Sequence, residues 1–227
     1  MSKGGGERLT KASGRKKDIG EGERKINFDE LREILKIALN ELRRYKGGNI
    51  LLLSPPITLL DLQIGIIKHF VVEEKMDGVV VTLSRPHSFL HRALKHEIND
   101  DERYIIYVDP LQSIAGNLIE PPTLKSKVFI VDGPFEVDRI YAAIDRALSH
   151  AANNFEGEEH FIYIDNLLGL APYVEAKDII KLANKIAKSY KGSFVHRVIS
   201  IGMIESSGFQ KIYRKIKGKM DIVITVD

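Results

Sequence analysis

A chain of 227 residues with 44% apolar content is long enough to bury a substantial core, which excludes wholesale disorder. It contains no cysteine, which removes disulfides and thiolate metal sites and fits a reducing, cytoplasmic compartment. The net charge of +3 sits in the first 25 residues, where eight Lys and Arg face four Asp and Glu, leaving the rest of the chain at −1. No apolar run approaches the ~20 residues of a membrane helix, and the start Met-Ser-Lys-Gly-Gly-Gly-Glu-Arg lacks the apolar stretch of a secretory signal. No membrane partner is expected. The absence of Cys and Trp beside many Lys, Glu and Ile is a composition seen in hyperthermophile proteins.

Residues 1–25 are rich in Gly and poor in apolar side chains, the pattern of a flexible tail, and residues 26–227 are expected to form a single domain. Arg15, Lys16 and Lys17 give that tail a possible contact with nucleic acid or another acidic partner. The competing reading is a solvated extension, and the lack of interleaved aromatics for base stacking favours it.

Asn27 and Glu30 have capping-box spacing and open a helix that places Leu31, Ile34, Leu35, Ala38, Leu42 and Tyr45 on one face, with Gly47 and Gly48 as its stop. Asn49–Leu53 reads as the first buried strand. The turn Ser54-Pro55-Pro56 then leads into a helix from Thr58 to about Lys75. Gly78–Leu83 is a second strand, followed by Arg85-Pro86 and a helix to about Glu97. Tyr104–Val108 is a third strand, ending at Asp109-Pro110. Residues 111–127, with Gly116 and Pro121-Pro122, read as an irregular connection. Val128–Val131 is a fourth strand, Val137–Ala151 a helix and Phe161–Ile164 a fifth strand. Ala176–Tyr190 is a helix burying Ile179, Ile180, Ala183, Ile186 and Ala187, with Gly192 beyond its end. Phe194–Ile201 and Ile222–Val226 complete the strands, separated by a basic segment around Tyr213–Lys219. Strands that are continuously apolar and alternate with helices predict a three-layer αβα domain around a mostly parallel sheet.

Three strands end in a carboxylate: Asp109, Asp132 and Asp165. Carboxyl ends of parallel strands line the ligand crevice of open α/β sheets, so these three are candidate Mg²⁺ ligands. Alternatively each Asp simply turns or caps the loop after its strand. The Ser54–Thr58 turn is a candidate anion site, because a helix N-terminus offers free N–H groups and the Ser54 and Thr58 hydroxyls stand beside it. Yet Pro55 and Pro56 have no N–H to give, and no Lys lies between Gly48 and Lys68. A stiff structural turn is the favoured reading. His87 and His91 have the i, i+4 spacing of a metal-gripping pair, with His96 following, but no third ligand falls at a recognised spacing, so surface histidines are expected. Covalent catalysis has no support without Cys or a G-x-S-x-G elbow. The basic run Lys211, Arg214, Lys215, Lys217 and Lys219 is a solvated helix face or an acidic-partner contact.

From about Asn27 to Asp227 this order of elements resembles the RecA-like ATPase core, most closely its archaeal KaiC-like branch. Phe161-Ile162-Tyr163-Ile164-Asp165 with its following Asn166-Leu167-Leu168-Gly169-Leu170 looks like the Walker B strand and loop. Met220-Asp221-Ile222-Val223-Ile224-Thr225-Val226 looks like the closing strand. The resemblance implies a P-loop-NTPase topology, with Asp165 on the Mg²⁺ side. It also implies assembly as a homo-oligomer or with an active RecA-like paralogue. The departures are decisive for activity. The phosphate-loop position, Ser54-Pro55-Pro56-Ile57-Thr58-Leu59, keeps none of the glycines and lacks the Lys-Ser/Thr pair. The second strand ends Val81-Thr82-Leu83-Ser84-Arg85-Pro86, where the family carries catalytic glutamates. Phosphoryl transfer depends on positioning and charge neutralisation, so these losses predict a non-catalytic binding or regulatory module with no cofactor. The alternatives are a nucleotide-binding protein or Mg²⁺-dependent ATPase with an atypical phosphate site, and a nucleic-acid-binding protein acting through its basic arm.

Overall fold

The strands of this protein are apolar on both sides, and each side meets its own layer of helices. The computed structural model describes residues 28–95, 97–98, 105–115, 128–155, 157–190, 193–203 and 207–226. The tail cations Arg15, Lys16 and Lys17, the cap Asn27, His96, Gly116, Pro121-Pro122 and Gly192 lie outside them. The strands are β1 (Gly47–Ser54), β2 (Asp77–Val81), β3 (Ile105–Asp109), β4 (Val128–Ile130), β5 (His160–Ile164), β6 (Val195–Gly202) and β7 (Ile222–Thr225). They form one sheet in the order β4-β3-β2-β5-β6-β1-β7, and every neighbouring pair is parallel.

Because side chains alternate along a strand, each strand divides its apolar residues between two cores. Leu51, Leu53, Val79, Val81, Ile106, Val108, Ile162 and Ile164 join one cluster with Ile140, Ile144, Ile179, Leu182, Ile212 and Ile216. Those last six come from helices α5 (Val137–Asn154), α6 (Ala176–Lys188) and α7 (Ser207–Lys217). Ile50, Leu52, Val80, Tyr107, Phe161 and Tyr163 face the other cluster, with Leu35, Leu39, Leu62, Ile66 and Leu90. These are supplied by α1 (Phe28–Arg43), α2 (Leu59–Lys68) and α3 (His87–Leu94). A short α4 (Gln112–Ala115) follows β3. Gly78 is required where it stands, because a Cβ there would lie 2.4 Å from the Phe161 ring, which stacks on Phe70 at 4.8 Å.

Charged groups concentrate at the amino end of the sheet. Arg197 on β6 is buried, and its Nε donates to Asn49 Oδ1 at 2.7 Å while an Nη donates to the Ser189 carbonyl at 2.6 Å. Asp221 accepts from the Asn49 N–H and Nδ2. His196, one residue away, is fully buried, and neither ring nitrogen has a hydrogen-bond partner among the described residues. Burial, reinforced by the nearby charges of Arg43 and Arg197, pushes its pKa down to about 4.

Several sequence expectations are corrected. Tyr45 is 69% exposed, because α1 ends at Arg43 and a turn through Lys46, at φ 56°, carries the chain into β1. Gly47 and Gly48 therefore begin a strand, and Leu39 takes the core place given to Tyr45. The helix after the diproline turn is regular only to Lys68 and widens to a π-helix over His69–Glu73. His87 and His91 are buried, not on the surface. The basic C-terminal segment belongs to a full helix, α7.

Candidate functional site

The carboxyl ends of β1, β6, β5 and β2 lie side by side, and the loops leaving them stand where an open α/β sheet carries its ligand crevice. At β1 the chain leaves Ser54 through Pro55 into a 3₁₀ turn, Pro56–Thr58, before α2 begins at Leu59. Few backbone donors face outward here. Pro55 and Pro56 have none, the Thr58 N–H goes to the Pro55 carbonyl at 3.2 Å, and the Leu59 N–H goes to the Pro56 carbonyl. The Thr58 hydroxyl also turns inward, donating to the Pro55 carbonyl at 3.0 Å. Of the segment from Pro55 to Leu59, Ile57 alone keeps an N–H outside these turn bonds, and its side chain is 89% exposed. Ser54 is fully buried, and its hydroxyl has no hydrogen-bond partner among the described residues.

Asp165 ends β5 and is spent on the neighbouring strand. Its carboxylate accepts from the Leu83 N–H, from the Ser84 N–H at 3.2 Å and from the Ser84 hydroxyl at 2.6 Å. These groups begin the loop after β2. Burial pushes the Asp165 pKa up to about 6, against the opposing pull of those donors and of the Arg85 charge. The next residue, Asn166, reaches the other way: its Oδ1 accepts from the Gly202 N–H at the end of β6 at 3.1 Å. A 3₁₀ turn, Leu167–Leu170, follows. Its Gly169 is pressed against β2's exit, where a Cβ would lie 2.1 Å from the Leu83 carbonyl oxygen.

Asp109 at the end of β3 is equally committed. One oxygen accepts from the His87 N–H at 2.6 Å and pairs with His87 Nδ1 at 2.8 Å; the other accepts from Leu111 and Gln112 N–H groups. It fastens the start of α3 to the start of α4. Asp132 lies beyond the end of β4, its side chain 89% exposed and 3.9 Å from Arg139. Asp109 and Asp165 are two strand positions apart, about 10 Å at normal strand spacing. No group of three His, Cys, Asp or Glu that could hold a metal ion occurs among the described residues. Elsewhere, a cavity of about 470 Å³ opens between α1, α2 and α3, lined by Asp29, Arg32, Asp61, Lys68, His69 and Glu73. Its cations are already matched by carboxylates: Lys68 meets Glu97 at 2.7 Å, and Arg32 meets Asp29 and Glu73.

The sequence named Ser54, Thr58, Asp109, Asp132 and Asp165 but not their partners. Leu83, Ser84 and Gly202 come into view only once the strand order sets β2 and β6 on either side of β5. The His87–Asp109 pair had a signal, since each stands where a parallel strand meets its next helix.

No protein-family model matches the chain, and no curated protein is significantly similar to it in sequence. Solved structures do resemble it. An uncharacterised protein, PH0321, from Pyrococcus horikoshii, solved with an unknown peptide, matches with a TM-score of 0.56 at 12% identity, over 79% of this chain and 77% of that one. The KaiC-like protein PH0186 from Pyrococcus horikoshii OT3 matches with a TM-score of 0.50 at 17% identity, over 80% and 74%. The ATPase domain of a further protein matches with a TM-score of 0.50 at 12% identity, over 88% and 81%. No helix among the described residues is long and apolar enough to cross a membrane. At such identities the likeness speaks for architecture alone, and that architecture is the RecA-like α/β fold of KaiC-like proteins.

Proposed function

We propose that this domain is a protein-association module that uses a RecA-like framework without turning over ATP. The observation that carries the reading is the internal use of Asp165: the carboxylate at the Walker B position is consumed by Leu83 and Ser84. Water activation and phosphate binding would both need groups that this crevice spends on itself. The donor-poor bend at Pro55-Pro56 supports the same conclusion, since an anion there would meet closed turns instead of an open nest of N–H groups. Support for association comes from the segments that follow the strand ends, which expose Ile57, Phe89, Ile114, Phe135 and Tyr173, the last two in ring contact at 5.8 Å. Exposed apolar groups that touch one another, as Phe135 and Tyr173 do, are the kind of surface a partner covers. PH0321, one of the structures with a similar fold, was solved with a peptide. The partner is a second copy of this chain or another RecA-like domain.

The test has two arms. Titration calorimetry with ATP and GTP in the presence of Mg²⁺ is expected to give no heat, and a phosphate-release assay no turnover above an Asp165→Ala control. Sedimentation over a dilution series, alone and with a candidate RecA-like partner, is expected to show association that Ile57→Asp/Phe89→Ser weakens at least tenfold. Measurable hydrolysis, or association indifferent to the double variant, overturns the reading.

A further inference from the structure

Helix α7 is amphipathic in an unusual way. Its apolar stripe, Phe209, Ile212 and Ile216, is buried in the core beneath α6. Its outer face carries Lys211, Arg214, Lys215 and Lys217, with Lys219 one turn on, and all five are exposed. Residues 207–219 contain no carboxylate and so carry +5, whereas residues 26–227 as a whole carry −1; the remainder of that stretch therefore stands at −6. A basic face has been segregated onto an acidic domain.

These cations are not spent on the protein. Lys217 lies over the Tyr213 ring at 5.3 Å, but Lys211, Arg214, Lys215 and Lys219 have no carboxylate partner among the described residues. The helix next to it behaves differently: Lys181 and Lys185 on α6 both bond Asp138 at 2.6 Å. Asp221, the nearest carboxylate beyond α7, accepts from Asn49. Compensating the helix dipole accounts for one or two cations in the last turn and not for five.

We infer that the exposed face of α7 docks the phosphate backbone of a nucleic acid, without reading its sequence. Charge complementarity commits the face to a polyanion, and its chemistry selects among polyanions. Protein interfaces are depleted in Lys and built around aromatic or aliphatic anchors, but this face is mostly Lys, and its ring, Tyr213, is half-buried beneath Lys217. A membrane-surface helix needs a free apolar side, and that of α7 is inside the core. Protein–nucleic-acid interfaces are polar and strongly positive. Along the helix, Lys211 and Lys215 stand about 6 Å apart at 1.5 Å per residue, and Lys219 follows in the turn beyond Lys217, so the cations are spread along the segment instead of converging on one small anion.

The test is fluorescence anisotropy on the full chain with a mixed-sequence 30-mer, single-stranded and duplex, from 50 to 200 mM salt. Five phosphate contacts predict a duplex log–log salt slope of about −4.5, an affinity loss of several hundredfold over that range. The variant Lys211→Gln/Arg214→Gln/Lys215→Gln should flatten the slope by about 2.7 and weaken binding more than tenfold at 50 mM salt. Its circular dichroism melt should match the parent, since all three sites are exposed. Lys36→Gln/Lys75→Gln/Lys95→Gln, an equal charge change on the layer of α1, α2 and α3, should shift binding less than twofold. The inference fails if there is no binding, if the α7 triple variant binds like the parent, or if both triple variants lose affinity equally. It also fails if polyglutamate of matched charge competes as well as the oligonucleotide, since the face would then recognise acidic protein.

Discussion

The two ends of the sheet bury polar groups to opposite electrostatic effect. At the carboxyl end Asp165 is enclosed so completely that its proton is held to about pH 6, while at the amino end burial and neighbouring cations keep His196 neutral down to about pH 4. Both ends tie adjacent strands together, but one does it with a carboxylate gripping backbone N–H groups and the other with a buried guanidinium gripping an amide and a carbonyl. The difference teaches that in this domain the strand-end polar residues serve cohesion at both ends, including the carboxyl end, where open α/β sheets carry their ligands.

The largest effect should come from the amino end. Arg197→Ala leaves Asn49 Oδ1 and the Ser189 carbonyl without their charged donor, and at about 1.5–3 kcal/mol for each hydrogen bond to a charged group the loss should be about 3–5 kcal/mol. Urea unfolding that loses less than about 1 kcal/mol, the worth of a single ordinary hydrogen bond, would show that water or Asn49 itself repairs the gap. At the carboxyl end Asp165→Ala strips three donors of their acceptor and is expected to cost about 2–4 kcal/mol. Asp165→Asn keeps an acceptor oxygen and should retain at least half of that stability. Equal losses for Ala and Asn would mean that the charge, not the hydrogen bonding, holds β5 to β2.

The pH dependence sharpens the contrast further. Asp165 has a folded pKa raised to about 6 from 3.8, so its contribution is full below about pH 4 and is lost as pH rises through 6. His196 has a folded pKa lowered to about 4 from 6.5, so its contribution is full above 6.5 and is lost as pH falls toward 4. The two slopes oppose each other over the same window. Asp165→Asn should make the protein gain stability steadily from pH 4 to 7, and His196→Gln should make it lose stability over that range. Each change is on the order of 2–3 kcal/mol. Chemical denaturation at four pH values checks this; parallel curves for the two variants would refute it.

Much of the architecture is legible in the chain. Runs such as Ile50-Leu51-Leu52-Leu53 and Phe161-Ile162-Tyr163-Ile164 are apolar without alternation because helices cover both faces, and that pattern is written locally. The bends at Pro55-Pro56 and Arg85-Pro86 are equally local. What escapes is anything that depends on which strand lies beside which. Asp165 reads alone as a metal ligand or a loop cap, and its acceptor role requires β2 as its neighbour. His87 and His91 read as surface groups, because Asp109 and Tyr107, which receive them, lie some twenty residues away. Helix α7 is obscured by its own composition: the Phe209, Ile212 and Ile216 stripe is three residues among a crowd of lysines.

Asp165 and Asn166 are consecutive, yet one side chain holds the strand to the left of β5 and the other the strand to the right. Two adjacent residues thus hold both neighbours of β5. The crevice therefore has no independent jaw. Its rim is a preset contour, and moving one side of it means disturbing the other.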